Sequence, residues 1–177
     1  MFTAIKRRFQ DARTIKVLLT AAEKHANKAG HKQPAAEHLV LAALDLPDGT
    51  ARRTFERLQR DPMLFQSAIE QQYQDALRQV GVELSTATNL DELATPIPPT
   101  NGLFRAQPSA QALMQELANE VMRNSHAADS TMPLVGAHVL LSDTAAQFGV
   151  VARALQTMGI DRTSLAKAAS QELQSWR

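Results

Sequence analysis

The chain has 177 residues, 44% hydrophobic and 21% charged, ordinary proportions for a globular protein able to bury its own core. A net charge of +1 makes no case for a nucleic-acid surface, and the absence of cysteine excludes disulfides, thiolate metal sites and thiol nucleophiles. The longest apolar run, residues 39–44, is far below the roughly 20 residues of a membrane helix, and "MFTAIKRRFQ" lacks the apolar core of a signal peptide. A soluble, cytoplasmic protein is expected.

The first ten residues place Phe2, Ile5 and Phe9 at helical spacing among Lys6, Arg7 and Arg8. A basic amphipathic helix of this kind binds a partner, a nucleic acid or a membrane surface, or packs its apolar side on the rest of the chain. Ile15, Leu18, Leu19, Ala22, Ala26 and Ala29 then form a helical stripe that Gly30 ends. After Pro34 a short helix is expected through Leu44, stopped by "DLPDG", and a third from about Thr50 to Leu58. Asp61-Pro62 reads as a cap followed by a first-turn proline. The fourth helix carries Phe65, Ile69, Tyr73, Ala76 and Val80 on one face, with Gln66, Gln71, Gln72, Gln74 and Gln79 as a solvated face, and ends at Gly81. Residues 81–107 contain Pro98-Pro99 and many Thr and Asn, which break any long helix, so an ordered or semi-ordered connection is expected there.

The rest repeats what came before. Residues 38–71 laid over 138–171 without a gap match at His38/His138, Leu41/Leu141, Gly49/Gly149, Arg53/Arg153, Asp61/Asp161, Ala68/Ala168 and Gln71/Gln171. Apolar pairs such as Val40/Leu140 and Phe55/Leu155 fill the spaces between. One supersecondary unit used twice, each half burying its face on the other, is the physical reading. Asp161 is expected to repeat the cap of Asp61. The copies part at Ser142-Asp143-Thr144, where the first has Ala42-Ala43-Leu44.

The segments "AAEHLVLAALDLPDGTARRTF" and "GAHVLLSDTAAQFGVVARAL" resemble the Clp amino-terminal (Clp N) repeat found in Clp ATPases. That pattern runs from an Ala-rich helix ending in Gly-His, through Gly-Thr-Glu-His-Leu-Leu-Leu, to Gly-Val-Ala-Ala-Arg. Gly30-His31, Glu37-His38-Leu39 and Gly49-Thr50-Ala51-Arg52-Arg53 carry it in the first copy. Pro108, Ala110, Leu113, His126 and Gly149-Val150-Val151-Ala152-Arg153 carry it in the second. The resemblance implies an all-α fold of eight helices, two four-helix repeats related by a pseudo-twofold axis. Together with the composition, this gives a basic extension over 1–10, repeat one over 11–80, a linker over 81–107 and repeat two over 108–177, with both repeats expected in one globular domain.

In function it implies a non-enzymatic platform in chaperone and protease pathways, binding an adaptor, a protein substrate or a Clp ATPase. The same features would fit the excised N-domain of a full Clp ATPase. No match to G-x-x-x-x-G-K-[ST] occurs, so ATP binding is not expected, nor any cofactor. Some family members hold the guanidinium of phosphoarginine with the glutamate of Gly-Thr-Glu-His. That residue is Glu37 in the first copy and Ala137 in the second, so the second site reads as lost and the first as altered. Glu37, with Lys32 and Arg52 nearby in the chain, is the expected set of polar partner contacts, in a groove between the repeats or on the first-copy surface.

His25, His31, His38, His126 and His138 show no H-E-x-x-H spacing, and no metal site is expected. His38 and His138 read instead as helix-start histidines bonded within their repeats. Ser142-Asp143 lies in no G-x-S-x-G elbow, so no catalytic residue is assigned. Met114, Met122, Met132 and Met158 read as core, with an adaptable binding surface as the alternative.

Overall fold

The computed structural model describes residues 2–81, 105–126 and 132–176, so most of the expected linker lies outside the described residues. Among them the chain forms eight helices and no strand: α1 (Phe2–Lys28), α2 (Ala36–Leu44), α3 (Thr50–Arg57), α4 (Leu64–Gln79), α5 (Pro108–His126), α6 (Gly136–Asp143), α7 (Val150–Thr157) and α8 (Arg162–Ser175). The basic segment at the start is the first part of α1, and Phe9 on it is solvent-exposed rather than packed.

The two copies interlock. The short apolar helices α2 and α6 pack on each other at the centre, with α1 on α2 and α5 on α6. Beyond them the partners are exchanged: α3 of the first copy packs on α8 of the second, and α4 packs on α7. One core results, taking Leu18, Leu39, Val40, Phe55 and Phe65 from the first copy and Leu117, Leu140, Leu155 and Leu165 from the second. Neither copy could bury its own apolar face alone, which is why the duplication keeps both. The copies approach closely at Gly136, where an added Cβ would lie 2.9 Å from the Ala43 carbonyl oxygen and 3.0 Å from Ala51 Cβ.

The ends follow local chemistry. Both third helices finish in the same cap, in which a backbone N–H reaches back five residues: Arg60 to Phe55 and Ile160 to Leu155. The turn needs a left-handed residue, supplied by Gly159 at φ 69° and, in the first copy, by Gln59 at φ 53°. The two aspartates behave differently. Asp161 caps α8 directly, accepting from Ser164 N at 2.9 Å, whereas Asp61 accepts from Met63 N before α4 begins at Leu64. Asp11 of α1 accepts from Leu134 N at 2.7 Å and so ties α1 to the entry of α6.

Candidate functional site

Each central helix begins with the same histidine device. The first N–H groups of a helix have no intrahelical acceptor, and no Ser, Thr or Asp stands at the cap. His38 Nδ1 accepts from Ala35 N at 2.9 Å, and His138 Nδ1 accepts from Val135 N at 3.2 Å. Burial holds both imidazoles below their ordinary pKa, hence neutral. With Nδ1 accepting, the proton of His38 sits on Nε2, which donates to His31 Nδ1 at 3.1 Å. His31, Glu37 and His38 offer ligand atoms within 4.8 Å of one another. A metal on His38 Nε2 would move that proton to Nδ1 and cost both bonds, the one to His31 and the one from Ala35 N.

A groove of about 600 Å³ opens beside the start of α2. Its walls are Glu37 of α2, Tyr73 of α4, Ser109, Leu113 and Glu116 of α5, Ser142 and Asp143 of α6, and Phe148 through Arg153 leading into α7. It is therefore built by both copies. Ser109 Oγ accepts from Ala36 N at 3.3 Å, and Gln107 N donates to the Pro34 carbonyl at 2.8 Å, fixing α5 against α2. A second hollow of about 570 Å³ lies beside it and shares Asp143, Phe148 and Arg153. Phe148 stands at the rim of both and is 88% exposed.

The floor is acidic. Glu37 is only 3% exposed and accepts a hydrogen bond from the Tyr73 hydroxyl on one oxygen. Burial, and then the Glu37 bond, hold Tyr73 in its protonated form. Asp143 is 6% exposed and makes no side-chain hydrogen bond or ion pair with a described residue. Burial, reinforced by the charge of Glu37, pushes its carboxyl up to about 7. Beside it Ser142 Oγ is buried with no hydrogen-bond partner.

The pseudo-symmetric position carries apolar packing. Val135, Ala137 and Leu173 pack there with Met132 and Trp176, where the open groove has Ala35, Glu37 and Tyr73. The arginines diverge to match. Arg53 Nε donates to Glu172 at 2.5 Å and Arg57 Nε donates to the other oxygen at 2.7 Å. Burial alone would raise the Glu172 carboxyl, but the Arg53 and Arg57 bonds outweigh it and hold it below its ordinary value. In the other half Gln72 and Thr157 occupy those places, and Arg153 is left without an ion-pair partner among the described residues, at the groove wall.

Of the three residues expected to contact a partner, Glu37 lines the groove and the other two do not. Arg52 donates from Nε to the Leu44 carbonyl at 2.6 Å and lies 3.6 Å from Asp45, closing the far end of α2. Lys32 is exposed in the turn between α1 and α2. Asp143, Ser142, Tyr73 and Arg153 also line the groove, and the hundred-residue offset marks them in the sequence by pairing them with Ala43, Ala42, Leu173 and Arg53. Of the methionines, Met114 and Met158 pack partly on the core, while Met122 is exposed. None of the described helices is long and apolar enough to cross a membrane.

No curated protein matches the sequence. The family model for the Clp repeat (R) N-terminal domain matches residues 12–132, about two thirds of the chain, ending just before α6. Helices α6–α8 repeat α2–α4 in order and in packing, so the second copy completes what the match begins. The chain belongs to the Clp repeat (R) N-terminal domain family.

Proposed function

We propose that this chain is a non-enzymatic protein-binding module of chaperone and protease pathways, which takes a segment of an adaptor, a protein substrate or a Clp ATPase into the Glu37–Arg153 groove. One observation carries this reading: of two pseudo-equivalent positions, one is filled by apolar packing and the other opens as a mostly apolar groove with Glu37, Asp143 and Arg153 in its lining. A duplicated core constrains both copies alike, so a groove that holds charged groups where the other copy packs apolar side chains points to a use apart from stability. Its volume lies in the range of ligand sites, which are mostly apolar with a few polar anchors. Leu113, Val150 and Val151 supply the apolar wall, with Glu37, Asp143 and Arg153 as anchors. Apolar burial would give most of the affinity and the charges would set orientation. Among the earlier candidates, Glu37 is the contact this reading keeps; Arg52 and Lys32 have no part in it.

The test is a pair of surface variants. Phe148→Ala and Arg153→Ala change exposed side chains, so the fold should be untouched, with melting temperatures within a degree or two of the parent. Capture of a partner identified with the parent chain should fall at least fivefold for each. Undiminished capture by both would move the binding face elsewhere.

A further inference from the structure

We propose that the floor of this groove, formed by Glu37, Ser142 and Asp143, is a subsite for a lysine side chain of the bound protein. This rests on the groove being the binding face and goes on to name the side chain it takes. The first observation is an acid with no counter-charge. Asp143 is almost wholly buried and pairs with no described cation, although the fold supplies two arginines to Glu172, a comparably buried acid of α8. The second is independent of charge: Ser142 Oγ, on the same groove wall, is buried without a hydrogen-bond partner. Buried polar groups left unsatisfied in this way are uncommon and call for a missing partner.

The donor that answers all three groups is a cation. Both carboxylates need one, and the hydroxyl and remaining carboxylate oxygens act as acceptors toward it. The site also lies at the C-terminal end of α6, where the helix dipole favours positive charge. Ammonium fits better than guanidinium. Tyr73 already uses one acceptor position of Glu37, and the acceptors that remain are spread over α2 and α6, which suits a compact point charge. An ammonium offers three rotatable donors to acceptors on two different helices. Leu113, Ala112, Val150 and Val151 line the way in and would cover the methylene stem. The remaining charged groups facing the site are Glu116 on α5, which adds to the attraction, and Arg153 on α7. Arg153 stands at the exposed edge, suited to a carbonyl or carboxylate of the same bound segment.

The raised carboxyl of Asp143 provides a readout that a purely structural residue would lack. A bound ammonium favours the ionised form, so the Asp143 titration moves down from about 7 on binding. The experiment is a carbon-detected NMR titration of the full chain between pH 5 and 9, following the Asp143 carboxyl carbon. The probes are N-acetyl-lysine N-methylamide, the norleucine analogue that lacks the charge, and the arginine analogue. The lysine probe should lower the midpoint by at least half a pH unit and shift the Ser142, Glu37 and Tyr73 resonances. Norleucine should leave the midpoint in place, and arginine should bind at least threefold more weakly than lysine.

Asp143→Ala, which copies Ala43 of the first repeat, should weaken the lysine probe about tenfold. Free n-butylamine separates the sources. Binding as tight as the lysine probe would mean a small-amine site and overturn the assignment to a protein side chain. Equal effects of lysine and norleucine, or preference for arginine, would also overturn it. If partner crosslinks map to Phe148 while the lysine probe leaves Asp143 unmoved, this inference fails and the groove reading stands. If crosslinks map elsewhere, the groove reading itself has failed.

Discussion

Gln72 Nε2 donates to Thr157 Oγ1 at 2.9 Å, in the places that Glu172 and Arg57 hold in the other half. A charged triad on one side of the pseudo-twofold axis is thus a neutral pair on the other. The exchange frees Arg153 while Arg53 stays bound. The two contacts should differ in energy. Glu172→Gln should cost about 1–2 kcal/mol, a figure discounted because both arginines are roughly 40% exposed and can rehydrate. Gln72→Ala should cost less than about 0.5 kcal/mol. The Glu172 carboxyl is held below its unfolded value, so its contribution is present in full above pH of about 4.3 and lost as pH falls through the folded value. Urea denaturation at pH 7 and pH 3 checks this: the gap between parent and Glu172→Gln should shrink in acid.

Asp143 has the opposite sign. Its carboxyl is raised to about 7, so the folded state is penalised once the unfolded chain ionises near pH 3.9. The penalty grows until pH reaches the folded value and is constant above it. Asp143→Ala should therefore gain stability relative to the parent between pH 5 and pH 7, by about 2–3 kcal/mol, and gain no more above pH 7.5. A difference independent of pH would show that Asp143 is not desolvated in the fold.

Gly136 fixes how closely α2 and α6 pack. The two nearest atoms to an added Cβ, a backbone carbonyl oxygen and the buried Ala51 methyl, cannot rotate away. Gly136→Ala should cost about 1–3 kcal/mol despite the better helix propensity of alanine. Ala36 holds the equivalent place in α2, and Ala36→Gly should cost no more than about 1 kcal/mol. Thermal melts of the two variants side by side decide it.

Gln59 does in the first copy what Gly159 does in the second, with a side chain in the left-handed region. Gln59→Gly should stabilise the protein by about 0.5–1 kcal/mol, the left-handed strain exceeding the added chain entropy of glycine. Gly159→Gln should do the reverse. A loss of stability in Gln59→Gly would mean that the turn carries no strain.

Helix positions were legible because the apolar stripes and the glycines at 30, 49 and 81 are local signals. The offset of one hundred gave the duplication, since both copies serve one core. The exchange of α3 and α4 between copies was not legible, because periodicity shows which face is apolar but not what covers it. The same gap separates Glu37 from its neighbours in the groove. Lys32 and Arg52 flank Glu37 in the chain, yet nine residues of α2, about 13 Å, carry Arg52 to the opposite end of the helix. Asp143 and Arg153 are a hundred residues from Glu37 and reach it only through the packing of the second copy.

The central claim is that the open groove, and no other face, receives the protein partner. The direct measurement places a photo-crosslinking amino acid at Phe148 on the groove rim and, separately, at the exposed Lys24 of α1, then maps the adducts by mass spectrometry. The account predicts an adduct with one partner segment from position 148, weakened at least fivefold by Arg153→Ala, and none from position 24. Equal adducts from both positions, or an adduct from position 24 alone, would contradict it.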